Sequence, residues 1–75
     1  MQIQEDAVYK NLKSYLAHKN MSQSELAELL NMKQPTLSQK LNGKRRMDID
    51  TAYKILDMIH APYELFHFYF PPNGR

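Results

Sequence analysis

Seventy-five residues suffice for one small domain that buries about 60% of the surface its unfolded chain exposes, so its apolar residues must serve a single core or a partner's surface. The absence of cysteine excludes disulfides and thiolate metal sites. Residues 1–6 are acidic on balance and lack the basic leader and apolar stretch of a signal peptide, and no apolar run approaches the roughly 20 residues of a membrane span. The expectation is a soluble, cytoplasmic protein. The net charge of +2 is unevenly spread: residues 33–46 carry +5, the 32 residues before them −1 and the residues after them −2. Such concentrated positive charge is the footprint of a phosphate-binding face.

Five helical segments follow in chain order. Val8, Leu12, Tyr15 and Leu16 form one apolar stripe, predicting a helix from about residue 5 to 19 that Asn20 closes. Ser22, with Glu25 three positions on, has the capping-box spacing and opens a second helix expected to bury Leu26, Ala27, Leu29 and Leu30. Asn31, tolerant of left-handed backbone, ends it. A third helix starts near Lys33 or Gln34, has Pro35 in its first turn, faces Leu37 and Leu41 inward, and stops at Asn42 and Gly43. After a basic loop, Asp48 caps a fourth helix with the stripe Ile49, Ala52, Ile55, Leu56 and Ile59. Pro62 suits the first turn of a short fifth helix reaching about Phe70, and Pro71 and Pro72 begin a tail that cannot continue it.

The second and third segments, joined by a three-residue turn, form a helix-turn-helix by length alone. Helices so tightly joined cross steeply, and the second stands out where a major groove can accept it. Gln23, Glu25, Leu26 and Ala27, the turn at Asn31, Leu37, and the run Leu41, Asn42, Gly43, Lys44, Arg45 together resemble the phage repressor/Cro-like (XRE-type) helix-turn-helix regulators. The resemblance is strongest over residues 22–45 and extends loosely through the Asp48–Ile59 helix to Phe66. It implies an all-α, compact five-helix bundle of the lambda-repressor-like DNA-binding type, with the helix-turn-helix at 22–43 central in a single domain spanning 1–75. Two departures stand out. Asn31 occupies a turn position where the family has glycine, and Lys40 a position often apolar in the family, which leaves base, phosphate and solvent all open to Lys40.

A glutamine amide carries a donor and an acceptor in one plane and can bond adenine N6 and N7 together. Gln34 and Gln39 are about one and a half turns apart and can both project toward one groove if the N-terminal half of the helix points in; the resemblance adds that both match the family's base-reading positions. Pro35 and Thr36 offer apolar or hydroxyl contact, and Lys33 reaches guanine or a flanking phosphate. Phosphate contacts are expected from Gln23, beside the N-terminus of the second helix, and from Asn42, Lys44, Arg45 and Arg46, with Lys40 assigned to the same group. The expected partner is double-stranded DNA, and the expected role that of a transcriptional regulator, most simply a repressor.

Ala27 reads as a packing residue where two helices approach closely. His18, His60 and His67 are scattered without ligand spacing, and Ser24 and Ser38 lack the partners of a nucleophile. Neither catalysis, nor a metal, cofactor or small-molecule effector is expected. Five of the eight aromatic residues fall between Tyr63 and Phe70. More apolar surface than a small core can hide marks an interface, so Leu65, Phe66, Phe68, Tyr69 and Phe70 are expected to form a homodimer contact, placing two recognition helices on a palindromic operator. A protein-interaction module on the same fold, antitoxin-like or binding an anti-repressor, is the alternative that an aromatic C-terminus also serves.

Overall fold

A computed structural model describes residues 8–74. In order these residues form α1 (Lys10–His18), α2 (Gln23–Leu29), α3 (Gln34–Leu41), α4 (Ile49–Met58), a 3-10 turn (Tyr63–Leu65), α5 (Phe66–Tyr69) and a last 3-10 turn (Pro72–Gly74). Among the described residues there is no strand, and the all-α five-helix bundle expected from the pattern is the observed fold.

Local chemistry accounts for most boundaries. The Ser22 hydroxyl accepts from the Glu25 backbone N–H at 3.0 Å, and the Glu25 carboxylate accepts from the Ser22 N–H at 3.1 Å. This is the reciprocal capping box. Asp48 accepts from the Thr51 N–H at 3.1 Å and caps α4. Pro35 sits in the first turn of α3, where its missing N–H leaves no gap.

The first four helices end in the same way. Asn20, Asn31, Gly43 and His60 take φ values of 56°, 55°, 76° and 57°. Each donates its N–H back to the carbonyl three residues earlier, and the next residue reaches back five: Met21 to Leu16, Met32 to Ala27, Lys44 to Gln39 and Ala61 to Leu56. This is the Schellman closure, which satisfies carbonyls that a helix end leaves unpaired. At three of the ends the long bond joins two apolar residues that pack inward. At α3 it joins Lys44 and Gln39, so that end faces outward.

Leu12, Leu16, Leu26, Ala27, Leu37, Leu41, Ile55 and Leu56 fill the core, with Val8 and Tyr9 closing one end. The Tyr15 hydroxyl donates to the Ile59 carbonyl at 3.1 Å and ties α1 to the end of α4. Three expectations need correction. The first helix begins at Lys10, because Tyr9 adopts φ 50° and its N–H bonds the Gly74 carbonyl at 2.7 Å; residues 1–7 lie outside the described part. Leu29 is exposed, since the inward arc of α2 is already filled by Leu26, Ala27 and Leu30 and Leu29 lies about 60° beyond it. Ile49 is exposed at the first position of α4, and Thr51 takes a buried place instead. Beyond α5 the chain returns to the start of α1, where Gly74 packs so closely on Val8 and Tyr9 that a Cβ there would come within 2.7 Å of the Val8 side chain.

His60 is exposed and lacks the short side chain with which Asn or Asp bonds its own backbone in the left-handed region. His60→Gly is therefore expected to stabilise the fold by about 1 kcal/mol, raising Tm by at least about 4 °C in thermal melts. Asn31→Gly should gain less, and a fall in Tm for His60→Gly would refute this account of the helix ends.

Candidate nucleic-acid interface

α2 and α3 pack on each other more extensively than any other pair of helices. Leu26, Ala27 and Leu30 on one side and Leu37 and Leu41 on the other are all buried. With Leu37 and Leu41 committed inward, the opposite face of α3 is turned to solvent.

At about 100° per residue, the arc opposite Leu37 and Leu41 centres on Gln39 and includes Pro35, Asn42 and, at its Lys40 edge, Thr36; Gln34, at the first position of the helix, and Ser38 lie on the Leu41 side of it. Gln34, Pro35 and Gln39 are exposed; Ser38 and Asn42 are half-buried. Thr36, grouped with the base-facing residues on sequence grounds, is half-buried on the flank it shares with Lys40. Ser38 was overlooked, although its place four residues after Gln34 and four before Asn42 puts it on their row. Its hydroxyl accepts weakly from the Asn42 amide at 3.4 Å.

Lys40 does not belong to this face. Its ammonium donates to the Asp48 carboxylate at 2.6 Å and to the Thr51 hydroxyl at 3.3 Å, and its side chain is only 13% exposed. Lys40, expected at phosphate, is engaged here instead by the residue that caps α4. The Asp48 carboxyl is held well below the ordinary carboxylate range, first by the Lys40 ammonium and then by the Thr51 hydroxyl and N–H.

A different lysine joins the edge of the site. Lys13 on α1 donates to the Asn42 side-chain oxygen at 2.9 Å. Nothing local in the sequence pairs residues 29 apart; only the packing of α1 near the end of α3 does so. Because lysine can only donate, this bond sets the orientation of the Asn42 amide, its NH₂ away from Lys13.

The loop after α3 closes on Gln39. The Gln39 backbone carbonyl accepts from the N–H groups of Lys44 at 2.9 Å and Arg45 at 3.1 Å. The Gln39 side-chain oxygen accepts from the Arg45 Nε at 3.1 Å. Lys44, Arg45 and Arg46 are exposed, so the cationic ridge stands beside the outward amide of Gln39. At the far end of the site Gln23 is half-buried beside the capping box, and Lys33, exposed, is the N-cap of α3. The Glu25 carboxylate lies at that helix end and already engages the Ser22 N–H.

Of the five aromatic-end residues expected at a dimer contact, Tyr69 and Phe70 are 9% and 5% exposed and belong to the core. The reason is packing: Phe70 meets the Tyr9 ring edge-on with centroids 5.7 Å apart, and Tyr69 meets Tyr15 at 6.0 Å. Phe66 is half-buried, while Leu65 and Phe68 remain 39% and 52% exposed. Among the described residues no group of three or more histidine, cysteine or acidic side chains is placed to hold a metal, and no helix is long and apolar enough to cross a membrane.

Two short packed helices joined by a tight turn, the second carrying exposed amides beside a cationic loop, define a DNA-binding helix-turn-helix protein. A family model described as helix-turn-helix matches residues 12–65, well over half of the chain. The chain belongs to that family, the XRE-type, Cro/CI-like helix-turn-helix regulators that bind DNA. No curated protein and no solved structure matches it.

The Lys40–Asp48 pair yields a test that separates stability from DNA contact. Lys40→Ala should lower Tm at neutral pH and leave the salt dependence of DNA binding unchanged, whereas Arg46→Ala should reduce the salt slope by about 1. Since Asp48 titrates lower in the folded chain than in the unfolded one, the stability it contributes is present above the unfolded value near 4 and is lost as pH falls through the folded value. The Tm difference between wild type and Lys40→Ala should accordingly shrink in melts taken from pH 6 down to pH 2. A difference independent of pH would overturn this role for the pair.

Proposed function

We propose that this chain is a sequence-specific double-stranded DNA-binding transcriptional repressor that lays α3 in the major groove. The observation that carries the reading is the pair of exposed α3 amides, Gln34 at its first position and Gln39 opposite its buried face, the latter bonded to the exposed loop of Lys44, Arg45 and Arg46. Amides supply the donor and acceptor pattern that reads a base edge, and the cations supply salt-dependent attraction to phosphate that does not depend on sequence. In this reading Lys33, Gln34, Pro35, Ser38 and Gln39 face bases, with Thr36 at the flank. Gln23, Asn42, Lys44, Arg45, Arg46 and Lys13 line the backbone. Repression needs only that the bound protein occlude its site. The place of action is then wherever the cell keeps its DNA, the cytoplasm of a bacterium.

The proposed binding form is a homodimer on a palindromic operator. Leu65 and Phe68, exposed, would carry the contact, with the half-buried Phe66 beneath them. The neighbouring Tyr53 ring, 5.2 Å from Tyr63 and 5.0 Å from Phe66, extends the aromatic surface. Two-fold symmetry then sets recognition helices about 34 Å apart, one turn of DNA.

Selection from a randomised duplex pool should enrich a palindrome. Gln34→Ala should lose about 1–3 kcal/mol of discrimination at one base position and relax preference there; a uniform loss across all sequences would refute the base-reading role. For the dimer, sedimentation at high concentration should report a species twice the chain's mass, and Phe68→Lys should return it to a folded monomer whose Tm no longer depends on concentration. A wild-type monomer at all concentrations, with or without operator, would sink the dimer and favour the module that binds an unrelated protein.

A further inference from the structure

We propose that Arg45 is a positioning residue for Gln39: it fixes which end of the Gln39 amide points which way, and so decides the orientation of the A·T pair that Gln39 reads. The inference rests on the base-reading role given to Gln39 above.

A glutamine amide is nearly symmetric in shape, and rotation by half a turn about its last bond exchanges oxygen and nitrogen. An unrestrained glutamine therefore presents either order of acceptor and donor to the groove. Arginine carries only donors, so the amide atom that faces the Arg45 Nε must be the oxygen, as the 3.1 Å contact has it. The partner is also held in place. The Arg45 backbone N–H bonds the Gln39 carbonyl at 3.1 Å, and the Lys44 N–H bonds the same carbonyl at 2.9 Å. These two bonds belong to the loop that closes α3, so the guanidinium is tethered close to the amide it orients.

The carbonyl oxygen has a second lone pair, so the amide still offers one acceptor and one outward donor. Adenine presents the matching pair, N6 as donor and N7 as acceptor, with N7 nearer its own strand's backbone and N6 nearer the paired thymine. With oxygen toward Arg45 and NH₂ away from it, N6 must lie on the Arg45 side and N7 on the other. Adenine then belongs to the strand farther from Arg45. The reversed pair, T·A, would need the amide turned over, which breaks the bond to Arg45. Discrimination between A·T and T·A thus depends on a residue that itself reads no base.

The test starts from an operator enriched by wild-type protein and compares duplexes differing only at the pair that Gln39→Ala identifies. Wild type should prefer A·T over T·A there by about tenfold, within the range of one good bidentate contact. Arg45→Ala should bring that ratio close to one while leaving preferences elsewhere intact, and should leave the Gln39→Ala preference profile unchanged when the two are combined. Because Arg45 is exposed in a loop, Tm should hold within error. Uniform weakening on every duplex with the ratio kept would show a phosphate contact only and overturn the proposal, as would a preference for a base other than adenine at that pair. Failure of the underlying reading looks different: wild type would enrich no sequence, or Gln39→Ala would alter no position.

Discussion

The turn at Asn31 governs where every functional group of this protein ends up. With φ at 55° and the Met32 N–H returned to the Ala27 carbonyl at 2.9 Å, α2 stops within one residue and the chain turns toward α3. Ala27, buried where α3 crosses, leaves room for the approach that Leu37 and Leu41 complete. A larger residue there would push α3 away from α2 and rotate its outer face. The two amides and the cationic loop have no framework of their own; they are aimed by this one buried contact between two short helices.

Charge is then distributed by what lies behind α3. Of the five basic residues in the 33–46 window, Lys40 is withdrawn by Asp48, and Lys13 arrives from α1 to take a place at the edge. The count of cations along the chain is therefore a poor guide to the count at the face. The Lys40–Asp48 pair is half-exposed on the Asp48 side, and such pairs add little to stability by themselves. Its value lies in geometry: one carboxylate caps α4 and holds a side chain of α3, so the two helices share an anchor.

How far the sequence was legible follows from the range of each interaction. Ser22 with Glu25, Asp48 at its cap, Pro35 in a first turn and Gly43 after α3 are signals spoken within four residues, and each marks the element it announces. Gln39 could be placed outward because Leu37 and Leu41 must go inward, and Gln34 because it begins the helix. The misreadings are of another kind. Periodicity alone gave α2 and α4 a wider inward face than a 75-residue chain has core to match, and so Leu29 and Ile49 were counted inside. Tyr9 breaks α1 through a bond to Gly74, Lys40 turns to Asp48, and Lys13 finds Asn42; each depends on an element elsewhere in the chain. At the aromatic end the choice between core and surface rested on ring contacts with Tyr9 and Tyr15, which no local pattern announces.

The same distinction bears on how base reading can be specific in so small a protein. Exposed glutamines are mobile, and ordering one on binding loses rotamer freedom of about 0.5–1.5 kcal/mol. A side chain already bonded in the free protein has given up part of that freedom before DNA arrives. Gln39, with its carbonyl gripped twice by the loop and its amide oxygen held by Arg45, is in that state. Gln34, at the first position of α3 and next to a proline that fixes the backbone, gains its restraint from the helix start instead. In the proposed function the polar rim around α3 serves recognition twice: its cations attract the duplex regardless of sequence, and Arg45 narrows the conformations of the glutamine proposed to read it.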